Sequence, residues 1–240
     1  MKPFLYSVAE DLVKKYGSQL ADVCIVFPNR RARLFLNKYI SQLIERPIWS
    51  PRFYTVNELF HELSYVQQAD ELMLITELFH LYSKEKNTHE SFDEFFNWGE
   101  MMLNDFDDID KYLVDARRLF ENIQSIKEIE QRFGDLPEEE VEAIRQFWKS
   151  FNPSQFSSHQ EDFIAVWQIL YSVYAALRES LFNRGLGYEG MIYRQVAEDM
   201  QRGEIKNLPF KHFAFVGFNA LNKSEKVLFR YLRDRNMASF

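Results

Sequence analysis

Three arginines in four positions, Arg30, Arg31 and Arg33, follow an apolar run and a proline in "CIVFPNRRARLFLNKYI", residues 24–40. A guanidinium presents a planar fork of donors that matches a phosphate or a carboxylate, so this cluster could bind an anion. Cys24–Phe27 reads as a strand, Asn29–Arg33 as a basic turn, and Arg30–Ile44 as an amphipathic helix. Strand, turn and helix is how nucleotide-binding α/β domains build phosphate sites. Those sites use glycines so that the backbone can reach the phosphate, and residues 24–40 contain none. Arginine side chains would have to do what glycine amides do elsewhere. Cations at a helix N-terminus oppose the helix dipole unless an anion is near. Contact with the backbone phosphates of a nucleic acid strand is the preferred reading. Pairing with the chain's own acidic segment is the competing one.

Other constellations carry less. "DFDDIDKYL" supplies Asp105, Asp107, Asp108 and Asp110, but a calcium loop would need an oxygen ligand where Ile109 stands and a glycine where Asp110 stands. Solvated carboxylates at a helix junction are the simpler reading, and no metal site is expected. Glu204-x-Lys206 matches the tail of a nuclease signature without the upstream Asp on a strand, a chance match. The histidines at 61, 80, 89, 159 and 212 have neither zinc-protease nor serine-hydrolase spacing. Aromatic stripes at helical spacing read as core rather than as base-stacking platforms.

The elements that must position the arginines follow from periodicity. Residues 4–16 form a helix, with Phe4, Leu5, Val8, Leu12 and Val13 on one face. Ala21–Phe27 is an almost unbroken apolar run, the mark of a parallel strand buried on both faces. In the helix after it, Leu34, Phe35, Tyr39, Ile40 and Leu43 are expected inward, which leaves the arginines exposed. Arg52–Thr55 is a short strand, and Thr55 caps a helix from Val56. From there to about 205 only helices are expected: 70–86, 91–104, 106–113, 115–131, 137–151, 158–184 and 188–202. Then "HFAFVGF" (212–218) is a strand, 219–222 a turn, 224–233 a helix, and 237–240 the start of another strand. An alternation that stops on a strand leaves a sheet edge without a neighbour, so the chain is expected to be the N-terminal piece of something longer.

Charge divides at the same boundaries. Residues 1–60 carry a net +4 and 206–240 a net +5, while 61–205 carry −16 of the chain's overall −7. That asymmetry suggests a partner for one part only. The expected fold class is therefore α/β: a partial parallel sheet from 1–60 and 206–240, interrupted by an all-helical insertion at 61–205. The chain holds 240 residues, 46% of them hydrophobic with 23 Phe, enough for a sizeable core. One cysteine, Cys24, excludes an internal disulfide and a cysteine-built zinc site, and fits a reducing cytoplasm. No apolar run is long enough for a membrane span, and Glu10 and Asp11 break the N-terminal stretch where a signal peptide would be apolar.

With those residues in place, the chain resembles a known family. "IVFPNRRARLFLNKYI" resembles the segment of UvrD-like superfamily 1 helicases that follows the first parallel strand and contacts single-stranded DNA, commonly TFTNKAA-x-EM. "RFYTVNELFHEL", with Thr55-Val56-Asn57-Glu58-Leu59, resembles their next motif. "HFAFVGFNALNKSEKVLFRYL" is similar to the strand–turn–helix of AddB and RecC subunits that stands where a helicase has its Walker B strand. The resemblance is to the AddB-like N-terminal region of bacterial PD-(D/E)XK exonuclease subunits, a RecA-like domain 1A split by a helical domain 1B. It implies an inactivated helicase domain that binds and guides DNA in a helicase–nuclease complex for double-strand end processing and recombinational repair. DNA contacts would fall on Asn29, Arg30, Arg31, Arg33, Thr55, Asn57 and Asn219, with a helicase–nuclease subunit as partner, no membrane, and a parent exonuclease.

The sequence departs from the helicase pattern where ATP chemistry would be. There is no G-x-x-x-x-G-K-[ST]; Gly185, Gly187 and Gly190 are followed by no lysine. The Walker B carboxylate position reads Gly217-Phe218-Asn219. The phosphate loop and its strand look deleted ahead of the first helix. Neither ATP hydrolysis, nor a cofactor, nor a catalytic residue is expected in this chain. The alternative from a different class is a protein-interaction module that docks a partner subunit through its acidic helices without touching DNA.

Overall fold

The computed structural model describes residues 2–87, 89–120, 160–205 and 208–240. Four strands make one sheet in the order β2-β1-β5-β6, parallel throughout: β1 Val23–Phe27, β2 Arg52–Thr55, β5 His212–Phe215 and β6 Ala238–Ser239. β1 is central and pairs Cys24 with Arg52 on one side and with Phe213 on the other. All five of its residues are buried, as its unbroken apolar run requires.

Period-two alternation divides the β1 side chains between two layers. Val23, Ile25 and Phe27 join Ala9, Leu12, Leu36 and Ile40 from α1 (Phe4–Tyr16) and α2 (Arg31–Leu43). Cys24 and Val26 join Phe213, Phe215 and the helices α3 (Val56–Leu63), α7 (Glu189–Arg202) and α8 (Lys223–Asp234). The parallel α/β layer and its helical insertion are both present. Burial pushes the Cys24 thiol up to about 12, helped by Glu62, so it stays a protonated apolar core group.

The compact α/β unit comprises residues 1–68, 110–113 and 185–240, more than the 1–60 and 206–240 outlined from charge. It gains α7, whose Ile192, Tyr193 and Val196 are core, and a second small parallel sheet of β3 (Gln67–Gln68) with β4 (Leu186–Gly187). Helices alone are expected over that stretch, and a strand of two glutamines has no apolar pattern to betray it. The strand at 212 is also shorter than its apolar run, since Gly217 turns the chain with φ at +78°.

The second unit, residues 69–109 and 114–184, is helical. α4 (Glu71–Lys86) packs against α6 (Gln160–Asn183), and the rings of Phe79, Tyr82, Phe92 and Phe95 meet in edge-on and tilted contacts. α5 runs unbroken from Phe92 to Lys111 where two helices are expected. The stretch 105–110 contains no glycine or proline, and aspartates alone do not stop a helix. The helices expected at 137–151 and over most of 115–131 lie outside the described residues, as do His159 and Lys206. No helix among the described residues is long and apolar enough to cross a membrane.

Candidate nucleic-acid interface

Because β1, β2 and β5 are parallel, the helices that follow them all begin at one edge of the sheet. α3 starts directly after β2, α2 after three residues, and α8 after the loop 216–222. Ligands of open α/β sheets collect at this edge. The structure therefore brings Asn29, Arg30, Arg31, Thr55, Asn57 and Asn219 to one end of the α/β unit, with Arg33 a turn further along α2.

Arg30 is the N-cap residue of α2, in helical conformation, and no side chain caps that helix through it. Asn29 Oδ1 accepts a hydrogen bond from the Arg31 amide at 3.2 Å, a local turn within the basic segment. The Arg30 guanidinium lies 2.8 Å from Glu58 Oε1, with the arginine side chain 82% exposed. An ion pair that wet is worth about 1 kcal/mol or less, so a phosphate can displace it. Arg33 lies over the Phe53 ring, 5.6 Å from its centroid. Arg31 is exposed and has no side-chain partner among the described residues.

α2 is rotated from the expected orientation. Leu36 and Ile40 are buried, whereas Leu34 and Phe35 are 73% and 56% exposed. The helix offers apolar residues on two overlapping stripes, and α1 together with Ile25 and Phe27 selects the one containing Leu36. The arginines remain at the surface, beside two exposed apolar side chains rather than opposite a buried face.

Thr55 and Asn57 are used inside the fold. The Thr55 hydroxyl accepts from the Glu58 amide while Glu58 accepts from the Thr55 amide, a complete capping box. Asn57 donates to Glu189, and its carbonyl oxygen is buried without a partner among the described residues. Asn219 is exposed on the loop after β5. Beside the Arg30–Glu58 pair, Phe53, Tyr54, Glu58, His61, Glu62 and Gln68 line an open cleft of about 550 Å³. Its two carboxylates make it a poor seat for a phosphate.

Sequence reasoning missed a charged cluster in the same unit. Glu189 also pairs with Lys111 at 2.6 Å, and Ser224 donates to the Lys111 carbonyl at 2.9 Å. Asp110 is fully buried, not solvated, and accepts from Tyr188 and from Arg194 Nε, each at 2.6 Å. Its partners stand 78 and 84 residues away, beyond any spacing rule. Among the described residues no three His, Cys, Asp or Glu side chains come together as a metal site would need. No protein-family model matches the chain, and a search of curated proteins finds no match.

Proposed function

We propose that this chain is a non-catalytic, helicase-like module that binds a nucleic acid strand and scaffolds a helicase–nuclease assembly of the AddB and RecC kind. The observation that carries the reading is the edge itself. A glycine-free turn holding Asn29, Arg30, Arg31 and Arg33 stands at the C-terminal edge of a parallel sheet, opening a helix with no acidic residue in its first turn. A phosphate there would complement the helix dipole, meet Arg31 directly and draw Arg30 from Glu58. The cytoplasm, double-strand DNA repair and an exonuclease parent belong to the same proposal.

A protein-docking module is the second reading, and exposed Leu34 and Phe35 beside the arginines favour it, since apolar patches at a surface mark partner contacts. The two separate in a salt series of DNA binding by the full-length complex. Arg30→Ala with Arg33→Ala should weaken binding about equally across sequences and flatten the log–log salt slope by roughly 0.7 to 1 per lost phosphate contact. Unchanged affinity and slope would assign the edge to docking. Titration calorimetry showing magnesium-dependent ATP binding would defeat the non-catalytic part.

A further inference from the structure

The α/β unit carries a second basic feature that the turn at Arg30 does not use. On α8, Lys223, Lys226, Arg230 and Arg233 are all exposed. At about 100° per residue they lie within an arc of about 80°, so they form a single stripe. The other side of α8 buries Leu228, Phe229 and Leu232 in the core, which fixes the stripe outward.

Arg233 pairs with the adjacent Asp234. Lys223, Lys226 and Arg230 have no side-chain partner among the described residues. Neighbouring cations three and four residues apart weaken a helix, and Lys223 stands in the first turn, where the dipole disfavours a positive charge. A solvated helix face ordinarily mixes both signs. Of the acidic residues of α8, Glu225 serves the capping box with Asn222, and only Asp234, at the far end of the stripe, meets one of its cations. Nor is any large apolar residue of α8 exposed, so the stripe offers charge without a seat for a protein side chain.

The first turn of α8 stands at the same sheet edge as Asn29–Arg33. From Lys223 to Arg233 the stripe runs about 15 Å away from that edge, at about 1.5 Å per residue. That length spans a few successive phosphates of a single strand. We propose that Lys223, Lys226, Arg230 and Arg233 form a phosphate track that continues the strand held at the arginine turn over the sheet edge onto the opposite layer, with Asn219 at the join. The track rests on the nucleic-acid reading of that turn.

Fluorescence anisotropy of this chain with oligothymidines of about 5 and about 12 nucleotides, across a salt series, tests it. Lys223→Gln with Lys226→Gln and Arg230→Gln should leave short-strand binding unchanged. On the long strand the triple variant should flatten the salt slope by about 2, from three contacts at about 0.7 each, and bring the affinity down toward that of the short strand. Arg30→Ala with Arg33→Ala should weaken both lengths. Circular dichroism checks that the helices survive, and Lys226→Glu with Arg230→Glu should deepen the long-strand loss.

An unchanged long-strand slope in the triple variant, with the arginine-turn variant weakening both lengths, overturns the track and leaves the turn reading standing. Equal weakening of both lengths by the triple variant also overturns it, since a diffuse field would act that way. If neither variant changes either length, both readings fall. Polyglutamate binding as tightly as the long strand, and lost in the same triple variant, would transfer the stripe to an acidic protein partner.

Discussion

Three helices begin at one edge of the same parallel sheet, and they begin differently. α3 and α8 each open with a complete capping box, Thr55 with Glu58 and Asn222 with Glu225, and each has a carboxylate in its first turn. α2 opens on arginines, with no acidic residue in its first turn and no side-chain cap through its N-cap residue. The first two starts satisfy their orphan amides and dipoles internally. The third has the Asn29 side chain on its Arg31 amide, an exposed Arg30–Glu58 pair, and an Arg31 side chain with no partner among the described residues. The contrast singles out α2 more sharply than the arginines do alone, because neighbours in the same setting show what a closed helix start looks like.

The largest expected effect tests whether α2 sits as described, since its rotation aims the arginines. Leu36→Ala should destabilise by about 2–5 kcal/mol in urea unfolding, while Leu34→Ala should stay within about 0.5 kcal/mol. The reverse ranking would bury the stripe that contains Leu34 and turn the arginines with it.

A smaller effect sharpens the difference between the starts. Thr55→Ala and Asn222→Ala should each cost about 1 kcal/mol, because each removes a hydroxyl or amide oxygen that an otherwise orphaned amide needs. Asn29→Ala should cost less than about 0.5 kcal/mol, since its turn is exposed. Equal losses at all three positions would mean that α2 is closed like the others.

The smallest effect separates the two capping glutamates by sign. At Glu58 burial pushes upward, but the Thr55 amide and hydroxyl and then Arg30 outweigh it, and the carboxyl lies below its usual 4.5. Its stability contribution is present above that value and fades as pH falls through the lowered one. At Glu225 burial raises the carboxyl, the Asn222 amide and Lys111 oppose, and Glu189 adds to the rise. Its contribution is complete below 4.5 and is lost as pH climbs through the raised value. Across a denaturation series from about pH 3 to 7, the gap between wild type and Glu58→Gln should widen with pH. The corresponding gap for Glu225→Gln should move against wild type. Matching signs would remove the distinction between an exposed and an enclosed cap.

The alternation of strands and helices was legible because β1 is buried on both faces and so must be apolar at every position, a pattern that local reading detects. The Thr55 cap was legible too, since a capping box is a four-residue motif. The orientation of α2 was not. Ala32, Leu34, Phe35, Leu36, Tyr39, Ile40 and Leu43 offer overlapping apolar faces, and the positions of α1 and the sheet choose between them.

The amino-acid order thus determined the sheet's strands, the helix starts and the arginine cluster, all set by interactions within a few residues. Tertiary structure decided which face of α2 is buried, that Asn57 donates to Glu189, and that Asp110 is a buried partner of Arg194 and Tyr188. It also decided that the cations of α8 begin at the edge where the arginines stand. The physical reason is range: caps and periodicity act along the chain, whereas burial and ion pairing depend on residues that meet only when the chain has folded.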